Sequence, residues 1–533
     1  MMMRSTFRYA LPLIASLAAI PASGQETVAV PTFADVTTAS GIDTAYDGDW
    51  FFMVGGGVAA FDCDSDGYLD LLLPGGSSPA QLYRNTSSRA GKLTFEKVPG
   101  GLDLTDVSGA YPADIDSDGI NDLIVIRVGE NVAMRGLGSC RFERANEAWN
   151  FDGGNAWSAA LAVTWEHGAT WPTVAVGNYI DREEEISPWG SCTDNWLHRP
   201  GEPGKFASPL PLKPSFCALS MLFTDWNRSG TPSLRVANDR EYYENGEEQL
   251  WQLPVGGEPK RFTAADGWKR LRIWGMGIAS TDLDGDGFPE YFLTSMADNK
   301  LQTLTTPAAD AKPDYKDIAY AKGVTAHRPY AGDDLRPSTA WHTQFEDVNN
   351  DGLMDLLVVK GNVDEMPDFA MHDPNNLLLQ TPKGVFVEKG DAAGIDNNGN
   401  SRGGALADFN MDGLLDLVVT NRRTGTQVWR NESSGMGNWI GLAIKQPTPN
   451  LDAIGGWVEV RRGASVMTRE LTIGGGHAGG QLGWLHFGLG GETTTSVSVI
   501  WPDGERSEWS GLAANGFYTL ARGQEAQLFS PRD

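Results

Sequence analysis

One nine-residue pattern, D-x-D-x-D-G-x-x-D, constrains this 533-residue chain more than any other feature. It appears in FDCDSDGYLDLLL from Phe61 and recurs as ADIDSDGINDLIVI from Ala113, TDLDGDGFPEYFLT from Thr281, EDVNNDGLMDLLVV from Glu346 and ADFNMDGLLDLVVT from Ala407. A weaker copy, TDWNRSGTPSLRVA, begins at Thr224, and VTWEHGATWPTVAV from Val163 keeps the flanking apolar pattern while losing the acids. The loops start near residues 62, 114, 164, 225, 282, 347 and 408. A chain of this length with self-similarity at such a period is a repeat architecture before it is anything else, and the count is seven units.

Each unit carries the marks of short strands. A small-and-apolar run such as GGGVAAF or GGALADF precedes the loop, an apolar run follows it, and several units continue into a segment such as LYRN at Leu82 or VWRN at Val428. A fourth strand is signalled by an aromatic residue followed eight positions later by glycine and a branched apolar residue: Phe33 with Gly41-Ile42, Tyr315 with Gly323-Val324, Phe386 with Gly394-Ile395. Four antiparallel strands repeated seven times predict an all-β, seven-bladed β-propeller. The last unit passes through VWRNESSG into unrelated sequence at Asn438 and lacks its outer aromatic strand, while TFADVTTASGI at residues 32–42 precedes the first unit unpaired. The N-terminal strand is therefore expected to complete the last blade, which would remove two open sheet edges.

The loop chemistry points to a hard cation. Acids at positions 1, 3, 5 and 9, a carbonyl at position 7 and a turn-permitting glycine at position 6 supply the oxygen-only donor set that suits Ca²⁺. An EF-hand would require glutamate at position 12 and helices on both sides. Position 12 is Leu73, Val125, Leu293, Val358 or Val419, and both flanks have strand character. The expected ligands are Asp62, Asp64, Asp66 and Asp70; Asp114, Asp116, Asp118 and Asp122; Asp282, Asp284, Asp286 and Glu290; Asp347, Asn349, Asp351 and Asp355; Asp408, Asn410, Asp412 and Asp416. About five structural Ca²⁺ ions would shift the formal charge from −27 to −17. The degenerate loop of Asp225, Asn227 and Ser229 reads as an ordinary polar turn.

The same negative charge argues against nucleic acid as a partner, since phosphate binding wants clustered Lys and Arg. Residues 1–24 read as a signal peptide: Arg4 and Arg8 precede an apolar run from Ala10 to Ile20, and Ala22-Ser23-Gly24 offers small residues for cleavage. No later run approaches the ~20 apolar residues of a membrane span, so the mature protein is expected to be secreted or periplasmic. In that compartment Cys63, Cys140, Cys192 and Cys217 suit two disulfides. Cys192 with Cys217 is favoured because the pair brackets a proline-rich segment with little strand pattern. Cys63 with Cys140 follows by elimination, with a pair of buried free thiols as the alternative.

With these residues in view, the repeats resemble the FG-GAP or VCBS repeats that also build the propeller of integrin α-chains, over roughly residues 32–436. NWIGLAI from Asn438, GGGHAGGQLGWLHFGLG from Gly474 and VIWPDGE from Val499 resemble the ASPIC/UnbV domain. The two parts together resemble the CRTAC1-like family, which implies calcium binding and extracellular or periplasmic placement and brings no catalytic residues. The expected organisation is a signal peptide at 1–24, the propeller at 25–437 and an ASPIC/UnbV-like domain at 438–533, whose short strands between glycine turns predict a small β-sandwich.

The expected role is a non-catalytic recognition or adhesion module for an extracellular protein or glycan. Trp149, Trp157, Trp165, Trp171, Trp189 and Trp196 crowd the unit that lacks acids, where aromatic faces would hold such a ligand; packing between blades is the simpler use for them. The glycine run around His477 and Gln481 reads as a turn between strands, with those two side chains as possible ligand contacts. The alternative is a glycan-directed hydrolase or lyase built on AHRPYAGDDLRPSTAWH, in which His327, Arg328, Tyr330, Asp333, Asp334 and His342 would converge for acid-base work. GNSRG around Ser401 matches the G-x-S-x-G pattern, but it enters a propeller strand and not a strand-to-helix elbow.

Overall fold

The computed structural model describes residues 28–184, 190–240, 246–325, 337–364, 366, 368–371 and 373–532. The signal-peptide reading at 1–24 and the acid-base candidates His327, Arg328, Tyr330, Asp333 and Asp334 lie outside the described residues.

Runs such as Asp70–Leu73 and Asp122–Arg127 are apolar on both faces because each strand is covered on both sides by neighbouring sheets. Among the described residues, strands of this kind assemble into seven sheets, each built on the antiparallel strands of one repeat unit. The first holds Ala59–Phe61, Asp70–Leu73, Gln81–Asn85 and Phe95–Val98 in chain order. The seventh holds Ser401–Ala407, Asp416–Asn421 and Gln427–Asn431, and its outer strand is Phe33–Asp35, with Phe33 opposite Asn431 and Asp35 opposite Trp429. The closure expected from strand bookkeeping is thus the observed pairing. Phe33 is buried in a cluster with Leu377, Leu379, Leu417 and Trp429.

The innermost strands of successive sheets lie against one another around a central channel. Six of them are interrupted by a register shift, for example between Val107 and Gly109 and between Ser401 and Gly404, the kind of irregularity that bends a strand. The aromatic-to-glycine spacing has a local cause. A single helical turn follows the outer strand, as in Thr37–Ser40, Ala319–Lys322 and Gly390–Ala393, and ends on Gly41, Gly323 or Gly394 in the left-handed region. The second unit makes the same turn at Asn146–Trp149 but caps it with Asn150, so its signal, Phe142 followed by Asn150-Phe151, escapes a search for glycine.

Residues from Asn438 onward form two further four-stranded sheets. One comprises Leu485–Gly490, Asn438–Lys445, Gly516–Ala521 and Gln527–Phe529; the other comprises Ser465–Glu470, Trp457–Arg462, Thr494–Ile500 and Arg506–Ala513. Ile440, Leu442 and Phe487 from the first meet Val458, Val460, Val497 and Val499 from the second in one cluster, which makes the pair a sandwich. Both disulfides are present, Cys63–Cys140 and Cys192–Cys217. None of the described helices is long and apolar enough to cross a membrane.

The glycine run is not a turn between strands of the sandwich. It leaves that domain and enters the propeller channel, where Gln481–Leu482 pairs in parallel with Ala60–Phe61 of the first sheet. Glycine is required on both sides for so close an approach: a Cβ on Gly109 would come within 1.6 Å of the Ala478 carbonyl oxygen, and one on Gly479 within 2.3 Å of Val58 O. Part of the glycine excess therefore serves backbone-to-backbone packing in the channel and not turns alone.

Candidate metal centres

Each acidic loop joins the innermost strand of a sheet to the next strand outward, so ladder pairing fixes both of its ends. The first aspartate folds the loop around its own carboxylate. Its second oxygen accepts the N–H of the position 6 glycine at 2.8 Å for Asp62, 3.0 Å for Asp114, 3.0 Å for Asp282, 2.6 Å for Asp347 and 2.7 Å for Asp408. These glycines all have φ between 82° and 89°, a conformation that L side chains resist. The position 5 acid turns the loop again by accepting the N–H two residues on, as Asp66 does from Tyr68, Asp118 from Ile120, Asp286 from Phe288, Asp351 from Leu353 and Asp412 from Leu414.

The position 9 acid has a structural duty that the spacing alone does not reveal. Asp70 accepts from Cys63 N and Asn85 N, Asp122 from Ile115 N and Gly136 N, Asp355 from Val348 N and Gln380 N, and Asp416 from Phe409 N and Asn431 N. Each of these carboxylates thereby ties the loop to the third strand of its sheet. Glu290, one methylene longer, accepts from Leu283 N.

Within the first, second and fifth units the acids converge. Ligand atoms of Asp62, Asp64 and Asp66, of Asp114, Asp116 and Asp122, and of Asp282, Asp284 and Glu290 lie within 4.8 Å of one another. The sixth and seventh loops place Asn349 and Asn410 at position 3, and no comparable three-acid group forms there among the described residues. Three position 3 oxygens are buried without a hydrogen-bond partner: Asp64 Oδ1, Asp116 Oδ1 and Asn410 Oδ1. Orphaned buried acceptors in an all-oxygen set fit a hard divalent cation, which would complete their coordination.

Burial makes these carboxyls poor anions when no cation faces them. It raises Asp114 and Asp282 to about 6, and Asp122 and Glu290 to about 8, with neighbouring aspartates adding to the rise. Asp347 is likewise pushed up to about 8, and Asp70, Asp355, Asp408 and Asp416 rise well above the carboxylate range. Some positive charge is supplied from within the chain. Arg135 Nε lies 2.8 Å from Asp116, Arg532 pairs with Asp66, and Arg430 lies 3.8 Å from Asp412.

The two departing loops show what the fold does without the acids. In the fourth unit Asp225 still accepts from Ser229 N and Gly230 N, so the turn persists, while Arg228 pairs with Glu459 of the sandwich. In the third unit the remaining acid, Glu166, is buried against Arg199 at 2.7 Å. There the carboxylate is neutralised by a guanidinium of the same chain.

Other predicted candidates fall apart as surface sites. Trp149, Trp157, Trp165 and Trp171 are buried in aromatic packing, Trp149 edge-on to Trp171 and Trp157 edge-on to Tyr179; Trp196 is half-buried and Trp189 lies outside the described residues. His342 and His477 are buried in the channel and burial lowers them to about 4 and about 3. His477 Nε2 accepts from Gly55 N, and Gln481 Nε2 donates to Leu406 O, so both contacts are internal. Ser401 is buried at the start of its strand and donates to Asn421.

Comparison with known proteins agrees with this anatomy. The FG-GAP-like repeat family matches residues 62–125 and 347–419, and the ASPIC and UnbV family matches residues 446–527. Mouse cartilage acidic protein 1 is 24% identical over 268 residues, 49% of this chain and 39% of the relative. The human protein of the same name is 30% identical over 125 residues, 22% of this chain and 18% of the relative. The chain thus spans less than half the length of the curated relatives it matches. Among solved structures, BBS1N in complex with ARL6DN covers 76% of this chain and 97% of its own at 10% identity, with a TM-score of 0.44. With FG-GAP-like repeats ahead of an ASPIC/UnbV domain, the chain belongs to the cartilage acidic protein 1-like family.

Proposed function

We propose that the protein is an extracellular, calcium-stabilised β-propeller that serves as a non-catalytic recognition or adhesion module for a protein or glycan ligand. The observation that carries the calcium reading is the fivefold repetition of one partly buried oxygen-only loop, with orphaned buried acceptors at Asp64, Asp116 and Asn410. Asp62, Asp114, Asp282, Asp347 and Asp408 and their loop partners would hold the ions. Ca²⁺ would neutralise carboxylates that burial otherwise keeps protonated, which makes it a rigidifying element and not a reactive one. Two disulfides and the family's placement support an oxidising, extracellular setting.

The non-catalytic reading is supported by the four histidines that are buried and held neutral, His198, His342, His477 and His486. A neutral imidazole sealed from solvent is badly placed for acid-base work on a polymer. The test is a screen of the mature protein against immobilised polysaccharides and extracellular matrix proteins, with and without Ca²⁺, while soluble products are measured. Calcium-dependent retention without product is expected. Product release would instead establish the glycan-directed hydrolase or lyase.

A further inference from the structure

The segment from Thr472 to Leu482 makes contact with the inner strand of every sheet of the propeller. Val163 N donates to Ile473 O in the third sheet, Gly475 N to Met221 O in the fourth and Gly476 N to Ile278 O in the fifth. His477 N donates to His342 Nδ1 in the sixth, Gln481 Nε2 to Leu406 O in the seventh, Ala60 N to Gly480 O in the first and Gly480 N to Ala110 O in the second. At its centre His477 is fully buried, its ring 5.0 Å from that of Trp341, with Nδ1 against Met276 O. The channel is therefore closed by the chain's own C-terminal domain.

Beyond the channel, the acidic loops offer the C-terminal domain a seat. The sandwich rests on them: Trp484 Nε1 donates to Gly67 O at 2.8 Å, and Arg532 pairs with Asp66. Arg462 donates to Asp351 O, Gly490 N to Asn350 O, and His486 Nε2 meets Asn350 Oδ1 at 2.6 Å. Asn450 N donates to Ser117 Oγ of the second loop, and Trp439 packs on Gly413 of the seventh, where a Cβ would fall 1.8 Å from its indole nitrogen. Five of the 11 residues of the inserted segment are glycine, with Ile473, Ala478 and Leu482 as its apolar anchors. Each backbone hydrogen bond adds only a small net stability, and the seat on the loops adds further contacts to those of the segment.

We propose that the C-terminal domain acts as the stopper of the propeller channel and that cations in the acidic loops lock it there. The proposal rests on the calcium reading above and adds a consequence to it. The atoms that grip the sandwich, Gly67 O, Asn350 and Asp351 O, belong to the loops whose shape the ion would fix. Any ion that favours the seated state must in turn bind more tightly when the domain is seated, by the same factor.

Hydrogen exchange of the full mature chain tests this, with calcium binding followed in parallel by calorimetry. In Ca²⁺ the amides of Gly475, Gly476, His477 and Gly480 should be protected; in EGTA they should exchange about tenfold faster or more. The strand Thr173–Asn178, whose loop lacks the acidic set, should hold its protection. If Ca²⁺ binds and protection of the segment is the same with and without it, the lock is wrong and the calcium reading stands. If no Ca²⁺ binds, both fail. Should chelation unfold the whole chain, the variant Arg462→Ala in saturating Ca²⁺ decides: faster exchange confined to residues 472–482 at unchanged ion stoichiometry supports the lock, and unchanged exchange overturns it.

Discussion

Removing the metal should reverse the pH dependence of stability. In the metal-free fold Asp122 and Glu290 titrate near 8 because they are buried, whereas in the unfolded chain such groups titrate near 4. A folded-state pKa raised above the unfolded value means that the fold binds the proton more tightly. Its contribution is complete below about pH 4 and is lost as pH rises toward 8. Between pH 4 and 7 each such group costs about 4 kcal/mol, three pH units at 1.36 kcal/mol apiece. Acids within one loop share this cost, so the per-loop figure is of that order and not a multiple of it. Ca²⁺ held by these loops would favour the ionised form and work in the opposite direction, stabilising most where the carboxylates are fully charged. Melting curves at pH 5, 6, 7 and 8 should therefore fall steadily with pH in EGTA and stay level or rise in millimolar Ca²⁺. An EGTA series that is flat or rises across this window, with metal removal verified by elemental analysis, would refute the reasoning.

Three further outcomes follow from named contacts. Arg199→Ala leaves Glu166 buried without its partner and should cost about 3–5 kcal/mol in denaturant unfolding, with Glu166→Gln in the same background restoring part of it; a loss within error would mean that the pair is solvated. Phe33→Ala should cost about 3–5 kcal/mol through the cavity beside Leu379 and Trp429, and deleting residues 28–36 should expose the Gln427–Asn431 edge and produce oligomers by size exclusion; a stable monomer would argue against closure by this strand. Replacing Cys192 and Cys217 by alanine opens a link spanning 25 residues, worth about 3 kcal/mol on the chain-entropy estimate, and should lower the melting temperature under non-reducing conditions; an unchanged value would contradict the staple.

Much of the propeller was legible because its information is local. The D-x-D-x-D-G spacing, the apolar run after it and the aromatic-to-glycine step each occupy fewer than a dozen residues, and counting strands in the sequence is enough to pair Phe33–Asp35 with the seventh sheet. The double duty of the position 9 acids was hidden, since Asn85 and Gly136 lie 14 or 15 residues away and contribute only backbone N–H groups, which carry no side-chain signature. The third loop reads as one that has lost its acids, and the partner of the one it keeps, Glu166, is Arg199, 33 residues downstream. Least visible was the stopper. Gly109 and Ala478 touch across 369 positions through backbone atoms, and a glycine chosen for close approach looks the same in sequence as one chosen for a turn.

The most direct test of the account is the number of ions the folded chain holds. Mature protein, stripped with EGTA and then dialysed against buffered Ca²⁺, should carry about five Ca²⁺ per chain by elemental analysis, with calorimetry giving the same stoichiometry. Charge-neutral variants at position 1, such as Asp114→Asn or Asp282→Asn, should each remove one. A chain that retains no Ca²⁺, or whose ion count is unmoved by these substitutions, would contradict the assignment of the acidic loops as cation sites.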